Sequence, residues 1–236
     1  MSTTECRDGV KTLERTRFFT RQLITADDLT NEQLYQREKR RMHNRLLHGW
    51  GIVCGLNVVA TAGSHIVTIC PGYALSPQGD EIYLAEEIKF DLSQNAKAQV
   101  SPCSPCGSVS VAAVDTSKPF YIAIKYTECM SSPVRVSPVG CGCDDTACEY
   151  SRIRDSFEIT CLQSLPTTHS EKENITQICE AVNKVNNMIV PCTSCPSDPW
   201  IVLAKISINA ANLTITNNDR VILLPVTMMV NKCSER

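Results

Sequence analysis

Only 6% of the residues are aromatic, and histidine occurs four times. Scarce rings weigh against a glycan- or surface-ligand-binding module, which would need exposed aromatics. The longest apolar runs are about five residues, as at 200–204, well short of a bilayer-crossing segment. The opening "MSTTECRDGVKTLERT" has no apolar core, so no secretory signal is expected and synthesis in a cytosol is. A formal charge of −2 and a pI near 6.1 give no global pull toward nucleic acid or an anionic membrane. Also missing are a phosphate-cradling glycine loop, a convergent acid–base set and a nucleophile motif. The expectation is a protein without catalytic turnover.

Cysteine is abundant instead, with fourteen in 236 residues. Cys6, Cys54, Cys70, Cys129, Cys161, Cys179 and Cys233 are scattered singly, and those in or beside apolar runs (Cys54, Cys70, Cys161) read as small core hydrophobes. The other seven form three groups: Cys103-x-x-Cys106, Cys141-x-Cys143-x4-Cys148 and Cys192-x-x-Cys195. All three lie between strong strand patterns, and such spacings suit tetrahedral Zn²⁺. Long loops bury little apolar surface, while ordering each residue costs roughly 1–2 kcal/mol of backbone entropy. A structural zinc returns on the order of 10 kcal/mol against about 2–4 for a disulfide.

The preferred ligand set is Cys143, Cys148, Cys192 and Cys195, with Cys103 and Cys106 as substitutes or a second site and Cys141 beside them. Disulfides formed after release from the cell are the alternative. Catalytic zinc is disfavoured because His43, His48, His65 and His169 are all distant from these loops in sequence. Redox chemistry is disfavoured because neither C-x-x-C opens a helix: Cys195 runs into "PSDPW" and Cys106 into "GSVSV".

The periodicities predict a β-rich α+β fold: an antiparallel β body, a helical N-terminal extension and one further amphipathic helix. Residues 1–50 form the arm and helix, and 51–236 the β body with its cysteine loops. "TADDLTNEQ" offers two helix starts, Thr25 followed by acids or Thr30 with Gln33 in capping-box register. The helix should run through His48 and end at Gly49. Tyr35, Met42 and Leu46 fall near one face, while Arg37, Lys39, Arg40, Arg41 and Arg45 should face solvent or a partner rather than a phosphate backbone. His43 and His48 read as polar groups near its end, and Trp50 as a core anchor.

Strands are expected in "IVCGLNVV" and "HIVTICPG", joined as a hairpin, then on both sides of the turn Pro77–Asp80 and in "EIKFDLS". "PFYIAIKYTEC", "DSFEITCLQSL", "WIVLAKISI", "NAANLTITNND" and "RVILLPV" supply the rest. Gly49, Gly51 and Gly55 suit close backbone approach. Between "DSFEITCLQSL" and "WIVLAKISI", Ile175, Ile178, Val182, Val185 and Ile189 mark the second helix, within residues 171–189. Arg152 and Arg154 should pair with Asp144 or Asp145.

"RTRFFTRQLITADDLTNEQLYQREKRRMHNRLLHGWGIVCGLNV", residues 15–58, resembles the opening of an uncharacterised family met beside phage-tail-like contractile injection systems. The likeness continues at "PGYALSPQGDEIYL", "CEYSRIRDSFEI" and "CPSDPWIVLAKI". The resemblance implies a structural or assembly component of an extracellular contractile particle, associated with its baseplate, spike or cap. Its partners would be other protein subunits, in a homo-oligomer or a multi-subunit assembly, without nucleic acid or a membrane span.

Overall fold

The computed structural model describes residues 12–61, 64–92, 115–135, 148–169, 195–209, 212–225 and 228. The expected second helix and the cysteines at 103, 106, 141, 143 and 192 lie outside the described residues, as do Asp144 and Asp145.

Helix α1 spans Ala26–His43. Of the two starts, Thr25 is used: its hydroxyl accepts from the Asp28 N–H, and Asp28 returns the bond to the Thr25 N–H at 2.9 Å. That reciprocal box satisfies two donors the helix leaves open, and Asp27 and Asp28 sit at its positive end. The helix does not continue regularly to Gly49. Asn44–His48 form a π-helical turn, closed by the Gly49 N–H on the Asn44 carbonyl at 3.0 Å.

Among the described residues, ten antiparallel strands follow: β1 (Gly51–Gly55), β2 (Val58–Ala60), β3 (Ile66–Ile69), β4 (Gly72–Leu75), β5 (Glu81–Leu84), β6 (Ile88–Asp91), β7 (Phe120–Arg135), β8 (Cys148–Leu162), β9 (Ile201–Asn209) and β10 (Asn212–Thr216). They form three sheets, ordered β1-β4-β5, β2-β3-β6 and β10-β9-β7-β8. The fold is therefore β-rich α+β, as the alternating patterns require.

"IVCGLNVV" is two strands rather than one. Gly55 (φ 64) and Leu56 (φ 52) turn the chain, so β1 pairs with β4 while β2 pairs with β3 in a different sheet. The described part of the expected last strand at 220–226, residues 220–225, forms no strand. Val221–Leu223 only runs beside β1, with the Ile52 N–H on the Val221 carbonyl (2.8 Å) and the Leu223 N–H on the Ile52 carbonyl (2.9 Å). A Cβ on Gly51 would sit 2.8 Å from the Val221 oxygen, so this approach needs glycine.

The core joins all three sheets through Ile52, Leu56, Val67, Ile69, Ile82, Phe120, Ile122, Ile124, Ile159, Ile201, Leu203 and Ile206. Ile201–Ala204 are all buried, so both faces of β9 are covered along this run. Cys161 is buried among them, as expected of a small hydrophobe, whereas Cys54 is exposed and Cys70 half-buried. For Cys54 the expectation fails because residue 54 falls on the outward side of the short strand β1. Trp50 packs against the core as an anchor and meets His169 edge to face, centroids 4.8 Å apart. His169 is itself buried, and its Nε2 accepts the Val202 N–H at 3.0 Å.

Beyond Ile124, β7 keeps one strand neighbour among the described residues. Its pairing with β9 stops there, while pairing with β8 continues to Arg135↔Cys148. Pro133 lies in this outer part, where the open edge of the strand tolerates a residue without an N–H.

Candidate functional site

The turn between β4 and β5 is where the helix meets the body. The Ser76 N–H bonds the Asp80 carbonyl (2.8 Å), the Gly79 N–H bonds the Ser76 carbonyl (2.9 Å), and the Asp80 N–H bonds Ser76 Oγ (2.9 Å). Gly79 has φ +92, and any Cβ there would collide with the Arg41 carbonyl of α1. Glycine thus serves twice, through its backbone angle and through the room it leaves.

The helix docks on this turn through polar side chains. Arg41 Nε donates to Asp80 Oδ1 at 2.5 Å and its Nη1 to Glu38 at 3.0 Å, while Asn44 Nδ2 donates to the Gly79 carbonyl at 2.9 Å. One turn earlier, Arg37 pairs with Glu128 of β7. Of the basic residues expected outward, Lys39 and Arg40 are exposed, and Arg41 is a correction: it and Asn44 are the buried residues of the helix and its π turn. The physical reason is on the strands. Glu128 and Asp155 stand directly opposite each other in the β7–β8 register, a like-charge pair that is costly without a cation nearby.

Helix and strands enclose a cleft of about 360 Å³, walled by Arg37, Arg40, Arg41, Asp80, Tyr126 and Asp155 among others. The Tyr126 hydroxyl donates to Asp155 Oδ1 at 2.7 Å. Burial, then the Asp155 bond and the nearby carboxylates, push the Tyr126 pKa up. Burial also raises Asp80, with Arg41 opposing it, and burial and Glu81 lift Tyr73 to about 12. The acids and arginines consume one another's charge, so the cleft acts as a polar clamp between helix and sheet. Tyr126, Glu128 and Asp155 carry no motif. Their only sequence signal is that Tyr126 and Glu128 are two apart on one strand, and the opposing register cannot be read from sequence.

While Arg37 and Arg41 turn toward the β body, apolar residues of the arm and helix are left outside. Phe18, Phe19, Leu23 and Ile24 of the arm are all at least half exposed, Leu23 at 85%. Leu29 and Leu34 continue the exposure along α1, and Leu46 and Leu47 do so on the π turn. A tight turn holds the arm's shape: the Gln22 N–H bonds the Phe19 carbonyl at 3.2 Å, and Gln22 Oε1 accepts the Phe19 N–H at 3.1 Å. Thr16 Oγ1 then ties the arm to the Asp28 carbonyl at 3.1 Å. A further exposed pair, Met130 and Ile153, is cross-strand on the β7–β8 ribbon.

Of the clustered cysteines, Cys148 opens β8 opposite Arg135. Cys195 is buried and disulfide-bonded, to a partner outside the described side chains. Among the described residues, no three His, Cys, Asp or Glu side chains stand close enough to hold a metal ion, and no helix is long and apolar enough to cross a membrane.

No protein family matches the chain, and no curated protein does. A distant likeness is found to the crystal structure of TssK, with a TM-score of 0.39 and 8% identity. It covers 86% of this chain, which spans only 41% of the TssK chain.

Proposed function

We propose that this protein is a non-enzymatic structural subunit that docks into a larger particle through its N-terminal arm and α1. One observation carries the reading: the helix is fixed to the body by charge, while Phe18, Phe19, Leu23, Ile24, Leu29 and Leu34 are left to solvent. Burying a fully exposed leucine or phenylalanine is worth about 1.5–3 kcal/mol, so this stripe favours association. The resemblance at residues 15–58 names the particle class, a phage-tail-like contractile injection system, in its baseplate, spike or cap.

The test replaces Phe18, Phe19, Leu23 and Ile24 with serine and follows co-purification with the assembled particle. The core lies in the strands from Ile52 onward, so circular dichroism should show the variant folded. It should nevertheless fail to join the particle. Equal incorporation of variant and wild type would overturn the docking role.

The clustered cysteines are proposed to brace the loops, with zinc held by Cys143, Cys148, Cys192 and Cys195 in the reduced chain. The disulfide at Cys195 supports the second reading, a covalently stabilised binding module.

A further inference from the structure

The geometry points to a transition-metal site formed by His43 and His48. In an α-helix, residues five apart lie about 140° around the axis from each other and do not meet. The π turn changes this. Its wider winding brings position 48 back under position 43, and the imidazoles lie with centroids 5.2 Å apart and Nε2 atoms 3.3 Å apart.

That separation is the one a single metal ion needs. With metal–nitrogen bonds of about 2.0–2.1 Å and a tetrahedral angle, two ligating nitrogens stand about 3.3 Å apart. Without metal, one ring donates its Nε2 proton to the other. Binding requires both Nε2 atoms bare, so that proton moves to Nδ1 of the same ring and the pair chelates through two neutral imidazoles. Paired imidazoles select a borderline divalent ion such as Zn²⁺ or Ni²⁺ over Mg²⁺ or Ca²⁺.

Both rings are exposed, so the remaining positions are open to water or to a donor from another chain. The cation would also sit at the negative end of α1. Arginines in the last turns oppose it, but Arg41 is already neutralised by Asp80 and Glu38. π turns occur often at functional positions, and here the irregularity is what creates the pair.

The test uses the full chain stripped with chelator. Calorimetric titration with Zn²⁺ should show one more equivalent in the wild type than in His43→Gln or His48→Gln, with His65→Gln unchanged. Any zinc on cysteine is common to all four proteins and cancels. Independently, substoichiometric Ni²⁺ should broaden the imidazole NMR signals of His43 and His48 before that of exposed His65. Equal zinc stoichiometry in all four proteins, or equal broadening of the three histidines, would overturn the proposal.

Discussion

Arg41 Nε lies 2.5 Å from Asp80 Oδ1, joining the last turn of α1 to the turn between β4 and β5. Both side chains are more than nine-tenths buried. Removing Asp80 leaves buried Arg41 with Glu38, itself partly exposed, as its remaining ion-pair partner. Asp80→Ala is expected to cost up to about 3 kcal/mol of stability, because the buried charge is then only partly compensated. The double variant Arg41→Met/Asp80→Ala should recover a large part of that loss. Urea unfolding of both proteins checks it, and additive losses would refute the pairing.

At Gly79 the expectation concerns the backbone. Gly79→Ala must hold φ +92 and push a methyl group into the Arg41 carbonyl. A cost of about 1–3 kcal/mol follows from the strained angle alone. The helix should also loosen, which amide exchange on α1 would report. Unchanged exchange would mean the turn does not position the helix.

Cys161 gives a pH dependence. Burial pushes its thiol from 9.0 up to about 12. The folded state thus holds this proton more tightly than the unfolded chain does. Its contribution is fully present below about pH 9 and is lost as pH rises toward 12. Cys161→Val should make the alkaline fall in thermal stability shallower, since Tyr73 and Tyr126 keep their own share. In the native protein a thiol reagent should label exposed Cys54 well before Cys161.

The cysteine loops are checked by composition. Peptide mapping without reductant should recover Cys195 in a disulfide. After reduction, elemental analysis should find zinc near one equivalent that persists in the histidine variants. Absence of zinc from the reduced protein would leave the covalent brace as the only one.

Much of the β body was legible because strand periodicity reports burial directly. "PFYIAIKYTEC" places Phe120, Ile122 and Ile124 at alternate positions, "WIVLAKISI" opens on a continuous apolar run, and these residues help fill the core. The helix start was legible too, since a hydroxyl before paired acids is a local signal. The orientation of the helix was not. An arginine that faces solvent and one that neutralises a distant carboxylate look alike along the chain, and Arg37 and Glu128 are ninety-one residues apart. Nor did the sequence announce the π turn. "NRLLH" has ordinary helical propensity, and only the tertiary fit of Asn44 against Gly79 accompanies the change in winding.

The outer β7–β8 ribbon is a lever. From Lys125 to Arg135 it extends about 35 Å at strand rise, and among the described residues it is a two-stranded ribbon, met by α1 near Glu128. Two-stranded ribbons are marginal in water, so its hydrogen bonds should open far below the free energy that unfolds the β9-backed half. Force applied at the tip would bend the ribbon near Ile124, where β9 stops supporting it, before it disturbed the core. A fold built this way yields at one end while staying rigid at the other.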